Sequence, residues 1–278
     1  MQNNYPFSLS FPKKDNQLVI FSLPQTNQYQ TVSNIKFREK TPVIVEGQWK
    51  NKIAIFEHQN SGIIFNCQPK EIRQIISSQF SLKDYSLKHC HLKKSRFING
   101  SDLQVLKLSE MIIKKEKDLN RIIYKIFNFV LEYLSYGKPI KGLHSYKQAL
   151  TERVTDCGGF STFMASLMQS IGIPCRLVAG FLLRENFHTK LLSILKFHLN
   201  FDFLVMHAWL EILLPDKSWF PLDASMEWRR IKGLTKRQGG YGYIPADRLV
   251  LSFGDDFSVD IKNKTYCIDI LQHPIYLR

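Results

Sequence analysis

The stretch "RVTDCGGFSTFMASLMQSIGIPCRLVAGF", residues 153–181, decides the fold of the chain, because it joins a cysteine to a helix and a strand. Apolar side chains recur behind the cysteine at the spacing of one helical face, namely Phe160, Phe163, Met164, Leu167, Met168 and Ile171. The "GIP" at 172–174 is typical of a helix end, and the "CRLVAGF" that follows is typical of a strand. The pattern therefore predicts a helix that begins at the cysteine and packs one apolar face on a core.

Cys157 occupies the predicted helix start, where unpaired backbone N–H groups and the positive end of the helix dipole favour an anion. A thiolate is such an anion, so a cysteine in this position can have a lowered pKa, especially with a cationic histidine nearby. Gly158 and Gly159 leave the approach to the sulfur open, and the nearby N–H groups could hold a developing oxyanion. The alternative is a cysteine that only packs in the core, and this stretch alone does not decide between the two.

The stretch "MHAWLEILLPDKSWFPLDAS", residues 206–225, supplies the partners that a reactive cysteine needs. It predicts a β-hairpin whose two strands are joined by Pro-Asp-Lys. If the loop has three residues, Trp209 lies opposite Asp223, and His207 then lies on the same face as Asp223 and diagonal to it. A two-residue loop would put the imidazole and the carboxylate on opposite faces. A thiol, an imidazole and a carboxylate that meet form the constellation for covalent acyl transfer.

Short β-type runs fill the chain before residue 70, separated by Gly, Pro, Asn and Gln; they are "QLVIFSLP", "QTVSNIKF", "TPVIVEGQ", "NKIAIFEH" and "GIIFNCQ". Their length and spacing predict a small antiparallel β-sandwich. From Leu119 to Leu134 the apolar residues change to helical spacing, and Ser109 is predicted to cap a shorter helix before them. We therefore predict a β domain over residues 1–104 and a second domain over residues 105–278.

The chain has 278 residues, 44% of them hydrophobic, and a formal net charge of +14. Its basic residues are spread along the chain and form no nucleic-acid-binding signature, so we expect a basic solvated surface rather than specific nucleic-acid binding. Attraction to acidic proteins or anionic surfaces stays open. No apolar stretch approaches a membrane span, and the N-terminus has no signal-peptide pattern, so we expect a soluble protein of a reducing cytoplasm.

The five cysteines are odd in number and widely scattered, which argues against a disulfide framework. His89, Cys90 and His91 are adjacent and would alternate between the faces of a strand, so they cannot converge on one metal ion without ligands from elsewhere in the chain. Cys67, Cys175 and Cys267 lie in β-like apolar settings and are expected to be inert; we predict neither a metal nor a cofactor.

Taken together, "DCGGFSTFMASLMQSIGIPCRLVAGF" and "HAWLEILLPDKSWFPLDAS" resemble the core of the transglutaminase-like superfamily, which are papain-like thiol enzymes. The resemblance implies an α+β fold in which the helix with the nucleophilic cysteine packs on an antiparallel sheet, here preceded by the small β-sandwich. It implies that Cys157 is the nucleophile, His207 the base and Asp223 the residue that orients the base. Gln148 and Gly158 are our candidates for support of the oxyanion.

The chain departs from animal transglutaminases, which carry Gly-Gln-Cys-Trp around the nucleophile where this chain has "TDCG" at 155–158. The missing tryptophan weakens a prediction of protein crosslinking. The long apolar segment 181–205 is expected to form a helical flap over the cleft.

The sequence thus predicts a thiol acyl-transfer enzyme that acts on peptide or isopeptide amides through a thioester. Transfer to water, as in a peptidase or deamidase, is favoured over transfer to an amine. The alternative is a catalytically silent protein of the same fold that serves as a protein-binding scaffold. The expected partner is a protein or peptide substrate, the oligomeric state is left open, and Asp223→Ala is expected to reduce turnover with folding largely kept.

Overall fold

The computed structural model describes residues 4–12, 17–85, 92–183 and 204–277. The chain forms two compact units. The first contains Met1–Ile72, Ala179–His207 and Pro245–Arg278, and the second contains Arg73–Val178 and Ala208–Ile244. The domain boundary at residue 104 rests on sequence pattern alone and stays a prediction. The predicted flap and the segment His89–His91 lie wholly or mainly outside the described residues.

The fold is mixed α+β, as predicted, and its sheets are mainly antiparallel. In the described residues the strands are β1 (Tyr5–Phe11), β2 (Leu18–Ser22), β3 (Gln30–Arg38), β4 (Val43–Glu46), β5 (Lys52–Phe56), β6 (Ser61–Pro69), β7 (Ile72–Arg73), β8 (Ser135–Tyr136), β9 (Val154–Thr155), β10 (Cys175–Leu183), β11 (Leu204–Leu213), β12 (Trp219–Leu222), β13 (Tyr243–Ile244), β14 (Arg248–Phe253), β15 (Phe257–Ile261), β16 (Lys264–Ile268) and β17 (Ile275–Leu277). The α-helices are α1 (Leu103–Ile113), α2 (Leu119–Tyr133), α3 (Tyr146–Glu152), α4 (Cys157–Ser170) and α5 (Ala224–Ile231).

The first unit contains two sheets, with strand orders β1-β6-β3 and β17-β2-β5-β4. Side chains alternate along β1, so that Phe7, Leu9 and Phe11 are buried while the residues between them are partly or fully exposed. The Phe11 ring lies 5.0 Å from the rings of Phe21 and Phe56, centroid to centroid, and so joins β1 to the other sheet. Burial of each such ring contributes roughly 1.5–3 kcal/mol. The predicted β-rich N-terminal region is confirmed, although β1 and β17 were not predicted.

Helix α2 follows the predicted apolar stripe from its first residue, Leu119, and buries it. Helix α1 differs from the prediction at its start. Asp102, not Ser109, is its N-cap: the Asp102 carboxylate accepts hydrogen bonds from the N–H groups of Gln104 and Val105. Ser109 lies inside the helix, where its hydroxyl donates to the carbonyl of Leu106. The prediction for Ser109 is wrong because both residue types cap helices and the local pattern did not separate them.

Helix α4 is buried on every side from Gly158 to Met168, and not on one face only. Its polar residues are therefore paired with backbone groups, as buried hydroxyls must be. The Thr162 hydroxyl donates to the carbonyl of His144 at 2.9 Å. The Ser166 hydroxyl accepts from the N–H of Asn99 at 3.0 Å. The helix that begins at the cysteine is thus held by hydrogen bonds as well as by apolar packing.

The predicted hairpin is formed by β11 and β12, which are antiparallel with Leu210 opposite Leu222. The N–H of Leu214 donates to the carbonyl of Ser218 at 2.8 Å, so the loop has three residues. Lys217 closes this loop with a positive φ of 69°. The register of the prediction is confirmed, and β11 is also part of the sheet with the order β12-β11-β10-β14.

Candidate active site

Cys157 is the first residue of α4 and is half-buried. The preceding Asp156 caps the helix: one carboxylate oxygen accepts from the N–H of Gly159 at 3.2 Å. The other oxygen accepts from the N–H of Ile140 at 3.1 Å and so fixes the loop before α3. Aspartate is a preferred N-cap because its oxygen satisfies an N–H that the helix leaves open. The sequence "DC" therefore places the thiol at a well-defined helix start.

The two glycines after Cys157 are needed for close packing. A Cβ atom at Gly159 would overlap the side chain of Thr155, and one at Gly158 would lie 2.8 Å from Cδ1 of Leu143. The N–H of Gly158 also hydrogen-bonds the Cys157 sulfur. These contacts give a packing reason for both glycines, beside the predicted access to the sulfur.

The N–H of Ala208 on β11 also hydrogen-bonds the sulfur of Cys157. The pairing of the hairpin explains this contact. The N–H of Leu214 donates to the carbonyl of Ser218, the residue before β12, so alternate residues of β11, Ala208 among them, direct their N–H groups to that side. Strand β12 ends at Leu222, which leaves this N–H without a strand partner. The early end of β12 thus opens a position on the edge of β11 that the thiol occupies.

Burial raises the pKa of Cys157 to about 12, and the charges of Asp156 and Asp223 raise it further. The N–H groups of Ala208 and Gly158 act in the opposite direction. The lowering that a helix start can give is not found here, because burial and two carboxylates outweigh the helix start and the two N–H donors. The resting group is a thiol.

His207 precedes Ala208 on β11 and is 1% exposed. His207 directly precedes Ala208, so its Cα atom lies about 3.8 Å from that of the residue whose N–H bonds the sulfur. Its carbonyl accepts a hydrogen bond of 2.7 Å from the side-chain amide of Gln272. The same amide donates to the carbonyl of Gly180 on β10 at 2.8 Å. Gln272, which the sequence analysis missed, therefore fixes the backbone of β11 at His207.

Asp223 follows β12 directly and caps α5, with 1% of its surface exposed. One carboxylate oxygen accepts from the N–H of Met226 at 3.0 Å and from the Ser225 hydroxyl at 3.1 Å. The pairing of β11 with β12 ends with Leu210 opposite Leu222, so Asp223 is the first residue beyond it, and the predicted meeting of its carboxylate with His207 stays a prediction. The end of a strand and the start of a helix thus hold this carboxylate in place.

Two further residues of the quoted motifs form a buried ion pair beside this hairpin. The guanidinium Nε of Arg176 lies 2.7 Å from a carboxylate oxygen of Glu211, which is fully buried. The same guanidinium carbon lies 3.9 Å from the ring centroid of Trp219. Arg176 of "GIPCR" and Glu211 of "HAWLE" therefore link β10 to β11.

Gln148 lies on the exposed first turn of α3. Its side-chain oxygen accepts a hydrogen bond of 2.9 Å from the N–H of Ser145, and its own N–H donates to the Ser145 hydroxyl at 3.3 Å, which form a capping box. Its role at the oxyanion stays a prediction.

Cys67 and Cys175 are buried, whereas Cys267 is exposed, contrary to its predicted apolar setting.

Within the described ranges, no group of His, Cys, Asp and Glu side chains is arranged to hold a metal ion. Over the same part of the chain, no helix is both long and apolar enough to cross a membrane.

Residues 107–224, which contain Cys157, His207 and Asp223, match the model of the transglutaminase-like superfamily. A candidate cysteine protease from Cytophaga hutchinsonii has a similar structure, with a TM-score of 0.60 at 12% identity over 91% of this chain and 81% of that chain. The periplasmic domain of TgpA from Pseudomonas aeruginosa gives a TM-score of 0.44 at 13% identity, over 84% of this chain and 85% of that one. Red sea bream transglutaminase gives 0.32 at 14% identity, over 96% and 61%. None of the curated proteins compared with the chain matches it. The likeness to the Cytophaga protein shows the fold alone.

Proposed function

We propose, from the premise that residues 107–224 are a transglutaminase-like core, that the chain is a thiol acyl-transfer enzyme acting on peptide or isopeptide amides. Cys157 is the nucleophile, His207 the base and Asp223 the residue that orients and stabilises the base. The observation that carries the proposal is the hydrogen bond from the N–H of Ala208 to the Cys157 sulfur. This hydrogen bond holds the thiol beside β11, the strand that carries His207, near the point where β12 ends and Asp223 follows.

The raised pKa of Cys157 defines how the nucleophile is formed. The thiol proton moves to the imidazole of His207, and the carboxylate of Asp223 stabilises the imidazolium that results. The sulfur then attacks the carbonyl carbon of the amide, and the carbonyl oxygen becomes an oxyanion. When the C–N bond breaks, the proton on His207 passes to the departing amine, and the acyl group remains on sulfur as a thioester.

Water or an amine then releases the acyl group. The acceptor loses a proton to His207 as it attacks the thioester, and that proton returns to the sulfur when the S–C bond breaks. We favour water, which makes the protein a peptidase or deamidase, because Gly158 stands where animal transglutaminases carry tryptophan. A protein or peptide substrate and a cytoplasmic location belong to this proposal.

The test uses glutamine-containing peptides with and without a primary amine, and identifies the products by mass. Cleavage or deamidation without the amine supports hydrolysis, and an amine adduct supports transfer. Cys157→Ala should abolish every product, while the matched variant Cys267→Ala, which removes an exposed thiol, should retain them. Product formation that survives in Cys157→Ala would overturn the assignment.

The raised pKa of Cys157 also favours a second candidate, the silent scaffold, because an unreactive buried thiol has the same property. The two functions differ in whether the reactivity of the Cys157 thiol depends on His207. In the enzyme, rapid alkylation of Cys157 near neutral pH requires His207 and is lost in His207→Ala. In the scaffold, alkylation is slow in both proteins.

A further inference from the structure

Tyr136 lies beside the start of α4, although the sequence analysis assigned it no role. Strand β8 pairs in parallel with β9, so that Tyr136 is the partner of Thr155, two residues before Cys157. The N–H of Gly137 donates to the carbonyl of Thr155 at 2.8 Å and continues this pairing. The backbone of Tyr136 is thereby fixed next to the segment that carries the thiol.

Packing on two helices also fixes the ring of Tyr136. Its centroid lies 6.4 Å from that of Phe160, which is one turn after Cys157 on α4. The guanidinium carbon of Arg229 on α5 lies 5.0 Å from the Tyr136 centroid. α5 is the helix that Asp223 caps, so the ring contacts both helices whose first turns carry the thiol and the carboxylate.

The hydroxyl of Tyr136 is a neutral donor that no residue in the described part of the chain uses. Burial raises the pKa of Tyr136, the charges of Asp156, Asp223 and of the Cys157 sulfur once it is a thiolate raise it further, and Arg229 lowers it. The hydroxyl therefore keeps its proton at neutral pH, while the pairing of β8 with β9 and the contact with Phe160 hold its ring beside the segment that carries the thiol. No hydrogen bond of this hydroxyl to another described residue is present, which leaves it open to a bound molecule.

Acyl transfer needs donors for the oxyanion of the tetrahedral intermediate. The N–H of Cys157 is one, because the first N–H groups of a helix have no partner inside the helix. The two other candidates have different partners: the N–H of Gly158 bonds the sulfur, and the side-chain oxygen of Gln148 accepts from the N–H of Ser145. We propose that the Tyr136 hydroxyl is the side-chain donor of the oxyanion hole, acting together with the N–H of Cys157. The inference rests on the proposed function and makes Tyr136 a catalytic residue.

Two probes of the same sulfur test the inference. Acylation by p-nitrophenyl acetate forms an S–C bond and an oxyanion, the C–O bond then breaks to release p-nitrophenolate, and the thiol proton passes to His207. Alkylation by iodoacetamide displaces iodide and forms no oxyanion. A lost oxyanion donor therefore slows the first reaction and leaves the second unchanged. All proteins carry Cys267→Ser to remove the exposed thiol, and the modified residue is identified by peptide mass.

Tyr136→Phe removes one oxygen and keeps the ring that packs on Phe160 and Arg229. We expect acylation of Cys157 to slow by about 10²-fold, the usual effect of one oxyanion donor, with alkylation unchanged. The matched control is Tyr124→Phe, which alters a half-exposed tyrosine on α2 and should leave both rates unchanged.

Equal acylation rates in Tyr136→Phe and the parent would overturn the inference. So would an equal fall in both reactions, because that result indicates a role in positioning the thiol. If the parent protein is alkylated at Cys157 but never acylated, the proposed function itself fails, which is a distinguishable result.

Discussion

Replacement of Asp223 separates two roles that the structure gives to one carboxylate. One oxygen accepts hydrogen bonds from the Met226 N–H and the Ser225 hydroxyl and caps α5. The negative charge also acts on Cys157 and is assigned to the stabilisation of the His207 imidazolium. Asp223→Asn keeps an oxygen that can cap the helix but removes the charge, whereas Asp223→Ala removes both.

The expected magnitudes follow from these contacts. Loss of an N-cap costs about 0.5–2 kcal/mol, so Asp223→Ala should lower the free energy of unfolding by about 1–2 kcal/mol. Asparagine is an equally good cap, so Asp223→Asn should stay close to the parent in stability. Both variants should lose acyl transfer by at least about 10²-fold, because an amide neither stabilises the imidazolium nor fixes the correct tautomer.

Urea unfolding measures the stability, and release of p-nitrophenolate from p-nitrophenyl acetate measures the acyl transfer. Asp102→Ala is the matched control, since Asp102 caps α1 through the N–H groups of Gln104 and Val105. It should lose a similar amount of stability and keep its activity per folded molecule. Asp223→Asn with the parent rate would refute the assigned role of the charge, and Asp223→Ala with the parent stability would refute the role of the cap.

Three further changes have expected outcomes. In His207→Ala no imidazole accepts the thiol proton, so alkylation of Cys157 should follow the thiol pKa of about 12 and rise about tenfold per pH unit up to that value. The alkylation rate of the parent should instead reach a plateau near neutral pH. Superimposable pH profiles of the two proteins would remove His207 from the mechanism. Arg176→Leu leaves the fully buried carboxylate of Glu211 without its guanidinium. It should lower the free energy of unfolding, measured in urea, by about 3–5 kcal/mol, which is more than Glu211→Gln should. A larger loss in Glu211→Gln would contradict this interpretation of the ion pair. Burial raises the pKa of Cys67 from 9.0 to about 12, so above pH 9 the folded protein retains a proton that the unfolded chain releases. The free energy of unfolding should therefore fall by about 1.4 kcal/mol per pH unit above pH 9. In Cys67→Ala the free energy of unfolding should fall less steeply with pH, and equal slopes would exclude this contribution.

The sequence predicts the elements whose periodicity is strong. The apolar stripe of α2 and the run after Cys157 both identify helices correctly, and the three-residue loop gives the observed register of β11 and β12. These features depend on neighbours in the chain, which the sequence displays. β1 alternates buried and exposed residues over "YPFSLSF" and could have been found from that alternation.

The remaining features depend on contacts distant in sequence. The raised pKa of Cys157 reflects burial on every side of α4, which no local pattern reveals. Gln272 reaches His207 across 65 positions of the chain, and its segment carries no motif. Tyr136 acquires its position from the pairing of β8 with β9, two strands of two residues each that are too short to predict.

The most direct test of the central claim is to trap the acyl group on the protein. The parent is mixed with p-nitrophenyl acetate, quenched in acid at successive times and digested, and the peptide that contains Cys157 is weighed. The account predicts an acetyl group on Cys157 that forms within the first turnover and then decays as water accepts it, and neither event in His207→Ala. Acetylation of other residues only, with an unmodified Cys157 throughout turnover, would contradict it.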